Sequence, residues 1–191
     1  MDARGNTGYF EYLQSRSRLA WWYRKYYLYP RLGRHLSGRV LDVGCGIGDL
    51  LRCRPGTVGV DINPQTVAFC RGQGLDVRLM SPDQLPFDAA AFDSVVLDNV
   101  LEHLADPDPL LGEIARVLVP GGRLLVGVPG QRGYAADPDH KIYYDEAGLT
   151  DYMTTQGFRL RVLLHAPLRS ARLDASMRQY CLYGVFDKLV D

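Results

Sequence analysis

Along most of the chain, short apolar runs alternate with longer stretches in which apolar positions recur every three or four residues. The first pattern is that of strands buried on both faces, and the second that of amphipathic helices. The apolar runs are RVLDVG from Arg39, TVGVDI from Thr57, GLDVRLM from Gly74, FDSVVLD from Phe92, RLLVGVP from Arg123, FRLRVLLHA from Phe158 and QYCLYGVFDKL from Gln179. Between them the sequence predicts a very short helix over DLLRC and a helix capped by Asn63 with Pro64 at its first position. Two more helices follow, PDPLLGEIARVL, stopped by a turn at Pro120 to Gly122, and DEAGLTDYMTTQG, ending at Gly157. A loop rich in Gly, Asp and Tyr leaves the fifth run, and a long connection through RSARLDASM reaches the seventh.

The segment before the first run has a different texture. Residues 9–36 read as helix, with Leu19, Trp22, Tyr23, Tyr26 and Tyr27 on one broad face. Pro30 lacks an N–H and is expected to break that helix near Tyr29. The regular alternation of strands and helices implies an α/β fold with a largely parallel sheet between helical layers. Residues 1–37 are then an N-terminal helical cap, and 38–191 the main domain.

Composition narrows the class. The 191 residues are 47% apolar and 23% charged, ordinary values for a globular domain. A formal net charge of zero leaves no electrostatic footprint for nucleic acid. No apolar run reaches the roughly 18 residues of a membrane span, and the N-terminus lacks the apolar stretch of a signal peptide. The four cysteines, Cys45, Cys53, Cys70 and Cys181, show no CxxC spacing, which favours a reduced, cytoplasmic setting. The zero balance hides an asymmetry: eight basic residues lie in the first forty, whereas Ser81 to Ala115 holds eight acids and no Lys or Arg.

The chemistry concentrates in VLDVGCGIGDL, where a strand opens onto Gly44, Gly46 and Gly48. Such a turn lets a ligand approach the backbone where a side chain would block it. A nucleotide P-loop requires GxxxxGK[ST], and no Lys follows Gly48. A dinucleotide loop requires a third glycine where Asp49 stands, and the Asp49 charge at the helix start repels a pyrophosphate. A ligand without phosphate fits better. Asp61 ends the second strand at the same sheet edge, the place where open α/β sheets bind ligands, and its carboxylate suits the two hydroxyls of a ribose.

VLDVGCGIGDL, GVDI, LPFDAAAFDSVVLDNVLEHL and EIARVLVPGGRLLVGVP together resemble the class I S-adenosylmethionine-dependent methyltransferases, in their metabolite-modifying, type 11-like branch. The resemblance is strongest over about residues 38–130. It implies a Rossmann-like, seven-stranded, mostly parallel sheet with the last strand inserted antiparallel, and S-adenosylmethionine as cofactor with S-adenosylhomocysteine as product. Carried across, it implies that Asp42, Gly44, Gly46 and Gly48 shape the methionine end, Asp61 holds the ribose and Ile62 and Leu85 pack on the adenine. Ser81 stands where the family offers an acid to the adenine amino group, with Asp83 two residues on. Asp98 and Asn99 fall where the sulfonium faces its acceptor.

Methyl transfer to oxygen requires a proton acceptor. His140 in DPDHKIYYD and His103 in VLEHLADP are the candidates, with Asp98 as an orienting carboxylate and Tyr143 and Tyr144 as pocket walls. His35 and His165 have no motif context and read as structural. The His and acid spacings show no metal-ligand pattern. The expected acceptor is a small molecule or glycan. The aromatic and basic segment LAWWYRKYYLYPRL covers the acceptor pocket, contacts a membrane surface peripherally or stacks on an anionic substrate. Oligomeric state stays open. A cofactor-binding module without turnover, a nucleic-acid methyltransferase and a nicotinamide dehydrogenase are the competing readings.

Overall fold

The computed structural model describes residues 17–190. The expectation of helix over residues 9–16 lies outside them. From Ser17, whose hydroxyl caps the Ala20 N–H, the chain forms helix α1 (Arg18–Tyr23), a π-helical turn (Arg24–Leu28) and helix α2 (Tyr29–Gly33). Pro30 does not break this path. The wide turn ahead of it bonds the Tyr29 N–H to the Arg24 carbonyl, five residues back, so the proline ring is accommodated at the first turn of α2, where a missing N–H costs little.

Strands β1 (Val40–Val43), β2 (Val58–Asp61), β3 (Val77–Leu79), β4 (Phe92–Asp98), β5 (Leu118–Pro129), β6 (Phe158–Ala166) and β7 (Cys181–Lys188) form one sheet in the order β3-β2-β1-β4-β5-β7-β6. Only β7 runs against the rest, inserted between β5 and β6. The helices are α3 (Asp49–Cys53), α4 (Pro64–Gly72), α5 (Asp108–Val117), α6 (Gln131–Tyr134), α7 (Glu146–Thr155) and α8 (Ala171–Ser176). The PGG turn does not separate α5 from its strand. Leu118 already pairs with Phe92, and Pro120 to Gly122 loop out within β5 before Arg123 resumes the ladder opposite Ser94. The RSARLDASM connection is not structureless either, because the Ser170 hydroxyl caps α8 within it.

The alternation of side chains along the strands separates two cores. Leu41, Val95, Leu97, Leu124, Val126, Leu182 and Phe186 face the helices α5 and α7. Val40, Val96, Leu125, Tyr183 and Val185 face the other way, against Leu28, Tyr29, Leu32 and Leu36 of the N-terminal segment. That segment is also tied by polar contacts: Arg31 donates to the His165 carbonyl at 2.7 Å, and the Tyr27 hydroxyl to that of Pro167. Its outer face is exposed at Leu19, Trp22 and Tyr26. No helix among the described residues is long and apolar enough to cross a membrane.

Docking of the helical segment is therefore expected to contribute to global stability. Leu28 is 4% exposed, and Leu28→Ala should lower the unfolding free energy by about 2–5 kcal/mol in urea denaturation. A change within measurement error would mean that the segment undocks independently of the sheet.

Candidate active site

The strand order reverses between β1 and β4, and the carboxyl ends of those two strands border the main cleft. The cleft is open to solvent and encloses about 660 Å³ counted out to its mouth. Asp42, Gly44, Cys45, Gly46 and Ile47 form one wall, Asp98 and Asn99 the opposite one, and Arg24, Tyr29, Leu32 and Leu36 close it from the N-terminal side.

Local constraints shape the glycine loop. Gly44, Gly46 and Gly48 all have positive φ, at 73°, 50° and 78°. A Cβ on Gly44 would lie 2.5 Å from Val100 Cγ2, and one on Gly48 2.5 Å from Leu75 Cδ1, so both conformation and space demand glycine. The loop is fastened to β2: the Gly44 and Cys45 N–H groups donate to the Val60 carbonyl, and the Gly46 N–H to Asp61 Oδ2 at 2.9 Å. Asp61 Oδ1 accepts from the Asn63 N–H at 2.8 Å, and Asn63 caps α4. Asp61 is thus 4% exposed and sits behind Gly46, with both oxygens engaged by backbone.

Acidity dominates the cleft. Asp42, Asp49 and Asp98 line it and Asp61 lies beneath. Burial, then Asp98, Asp61 and Asp49, raises the Asp42 carboxyl well above the usual carboxylate range. Burial also raises Asp61, against the hydrogen bonds from Asn63, Gly46 and Thr66 that favour its charge. Two cations face this group: Arg52 lies 3.5 Å from Asp49, and Arg24, which lines the cleft, lies 4.0 Å from Asp98 and donates to the Tyr29 hydroxyl at 3.0 Å. Asn99 adopts a left-handed conformation at φ 56°, uncommon outside glycine, and donates to Asp98 Oδ1 at 2.8 Å.

The sequence-predicted residues divide into three groups. Asp42, Gly44, Gly46, Asp98 and Asn99 meet in the cleft, while Gly48 and Asp61 support its loop. Ile62 is 42% exposed on the adjoining sheet edge, and Ser81 and Asp83 lie on an exposed turn after β3. Leu85 is 2% exposed and packs within the main core. Arg24 and Tyr29 were not singled out as cofactor ligands, because only folding brings the helical segment over the loop.

His103 and His140 form a second cluster. His103 belongs to a 3-10 turn, Leu101–His103, ahead of α5. The His103 and His140 rings approach to 4.6 Å between centroids, and His140 stacks on Tyr134 at 5.4 Å. His140 Nδ1 is 3.0 Å from the Tyr134 carbonyl, which fixes the N–H there and turns Nε2 toward Glu102. Burial pushes the Glu102 carboxyl up to about 8, and burial and then His140 lower His103. Glu102 carried no expectation from sequence. Tyr144 is buried, whereas Tyr143 is 41% exposed.

A doubly wound sheet with a glycine loop, a β2-terminal acid and an anionic cleft defines a nucleoside-cofactor-binding α/β domain. Comparison with known proteins refines this. The family model described as "Methyltransferase domain" matches residues 41–126. A protein of Mycolicibacterium smegmatis, described as a probable S-adenosylmethionine-dependent methyltransferase, is 34% identical over 154 residues, covering 73% of this chain and 60% of that protein. A demethylmenaquinone methyltransferase of Thermus thermophilus is 43% identical over 100 residues, covering 46% of each. The chain thus spans about half to three-fifths of the length of these curated relatives. The crystal structure of a SAM-dependent methyltransferase of Thermotoga maritima superposes with a TM-score of 0.74 at 19% identity, over 94% of this chain and 98% of that one. Residues 41–126 thus carry the methyltransferase domain of that family model, and the chain is similar to S-adenosylmethionine-dependent methyltransferases.

The residues present fit the cofactor that this family implies. The buried acids favour a sulfonium and an ammonium, Arg24 favours a carboxylate, and the glycine loop admits close approach to its backbone.

The raised Asp42 value carries a sign. The fold favours the protonated carboxyl, so its contribution to stability is complete below the ordinary carboxylate range and is lost as pH rises through the raised value. Asp42→Asn should therefore melt higher than the parent at about pH 8 and equal to it at about pH 4. An advantage independent of pH would refute the buried-charge assignment.

Proposed function

We propose that this chain transfers a methyl group from S-adenosylmethionine to a small-molecule or glycan-type acceptor, on oxygen. The observation that carries the proposal is the cleft itself, in which the glycine loop faces three carboxylates and one guanidinium. S-Adenosylmethionine, when bound, supplies a methyl group already activated by its sulfonium. The protein's task is then alignment, which can be worth about 7–11 kcal/mol of barrier.

In this reading Asp42, Asp49 and Asp98 hold the cationic end and Arg24 the carboxylate. Asp61 offers its remaining lone pairs to the ribose, Ile62 an apolar face to the adenine, and Ser81 and Asp83 polar groups to its amino end. Asn99 fixes the Asp98 carboxylate. A hydroxyl acceptor loses a proton on methylation. His140 Nε2, with its lone pair turned inward, takes that proton, a contribution of about 10²–10⁴-fold, and His103 packs beside it. The outer face of α1, with Leu19, Trp22 and Tyr26 exposed and Lys25 over the Trp21 and Tyr26 rings, serves for peripheral contact with an anionic membrane.

Calorimetric titration with S-adenosylhomocysteine, with NAD as control, tests the cofactor. Binding of the former alone is expected, and Asp61→Ala should weaken it about 10–100-fold, the worth of charged hydrogen bonds lost from the loop. Tight NAD binding would refute the reading, and cofactor binding without methyl turnover across hydroxyl acceptors would leave a binding module. For α1, flotation with phosphatidylglycerol vesicles but not with phosphatidylcholine vesicles is expected. Equal recovery with both would remove the membrane surface.

A further inference from the structure

We propose that Glu102, His103 and His140 form a binding site for one divalent transition-metal ion of the zinc class. These residues come from two separate segments, the 3-10 turn after β4 and the loop after α6, which is why no spacing pattern announces them. The fold joins those segments firmly: the N–H groups of Lys141 and Ile142 both donate to the Glu102 carbonyl, the first at 2.7 Å.

The geometry is close to that of a coordinated ion. One donor atom from each of the three side chains lies within 4.8 Å of the other two, and His140 Nε2 is 3.9 Å from Glu102 Oε1. Donors bound tetrahedrally to zinc at about 2.0–2.2 Å lie roughly 3.4 Å apart, so side-chain shifts of about 0.5 Å between His140 and Glu102, and of at most about 1.4 Å for the other pairs, complete the site. Two imidazoles and a carboxylate suit zinc, cobalt or ferrous iron better than magnesium or calcium, which prefer oxygen throughout.

An independent observation points to a ligand here. Glu102 is 1% exposed, and neither carboxylate oxygen has a hydrogen-bond partner. Native folds seldom leave a buried carboxyl without partners, because its desolvation goes unrepaid. A cation between Glu102 and the two rings supplies that interaction. The rings are also prepared as ligands. His140 Nδ1 is committed to the Tyr134 carbonyl, the outer-shell support that metal-binding histidines usually have, and the His103 ring packs against that of His140. Three protein ligands leave a coordination position open. Asp137 Oδ2, 3.9 Å from His140 Nε2 and more exposed, stands at the solvent side.

The ion would sit beyond the carboxyl end of β4, near the edge that carries Asp98. Its use there, lowering the pKa of an acceptor hydroxyl in place of the free His140 base, rests on the methyltransferase reading. Its binding does not.

Tag-free protein stripped with a chelator should be titrated with Zn2+ by calorimetry and with Co2+ by visible absorption. One ion per chain is expected, with cobalt bands of low-coordinate nitrogen and oxygen ligation. Glu102→Gln and His140→Gln should each weaken binding by at least the 10–100-fold that loss of an outer-shell partner costs. Zn2+ should also raise the melting temperature of the parent more than that of either variant. If Glu102→Gln does not fold, His140→Gln, a loop substitution, carries the comparison. Absence of Zn2+ binding, or binding kept in both variants and lost when the four cysteines become serine, overturns the site. S-Adenosylhomocysteine titration of the same preparations separates this outcome from failure of the methyltransferase reading.

Discussion

The geometry of the site depends on one buried carboxylate. Asp61 takes the Gly46 N–H on one oxygen and the Asn63 N–H on the other, joining the loop after β1 to the capped start of α4. A loop with three glycines at positive φ has much conformational entropy to lose on folding, and this clamp holds it in one shape. Gly59 in β2 assists from below, since a Cβ there would lie 2.8 Å from Cys45 Sγ. The loop, the second strand and the following helix therefore form one mechanical unit.

Holding a carboxylate in the interior has an electrostatic consequence. Asp42, Asp49 and Asp98 converge on the same volume, and the sheet between two apolar layers offers little dielectric relief. Arg24 offsets part of this repulsion from the N-terminal helix, at the turn whose π-helical geometry also admits Pro30. Widened helical turns of this kind occur often at functional sites. Here the turn carries the only basic side chain among the residues lining the cleft. The cap and the cofactor site consequently share a charge pair as well as a core.

Much of this was legible in sequence because it depends on local rules. Continuous apolar runs announced the strands, Asn63–Pro64 announced a capped helix start, and glycines flanked by Asp42 and Asp61 announced the ligand loop. The rest was hidden for physical reasons as well. Pro30 was read by a rule for regular α-helices, and a π turn escapes it. Leu85 sits next to a site motif, yet only three-dimensional packing reveals that its side chain points into the core. The short helices α6 and α8 lack the periodicity that longer segments display. Arg24 and the Glu102–His103–His140 cluster gain meaning only from contacts between distant segments.

The distribution of unsatisfied polar atoms extends this contrast between local and tertiary information. Among the described residues, the buried side-chain atoms without hydrogen-bond partners belong to Tyr23, Glu102 and Tyr144. These are not scattered. Tyr144 lies within electrostatic reach of Glu102, Tyr23 within reach of Cys181, and Cys181 within reach of Asp98 and Glu102. The three therefore gather around the carboxyl end of β4 and the start of β7, and no other buried side-chain nitrogen or oxygen among the described residues lacks a partner. A fold able to pair its polar atoms elsewhere has left them unpaired on one side of its cofactor loop. Such concentrated local cost is characteristic of a surface shaped for ligands rather than for stability. These atoms belong to elements outside the regular strand–helix alternation, the N-terminal helix, the turn after β4 and the loop from Gln131 to Tyr144, which is where the proposed acceptor reading would place specificity.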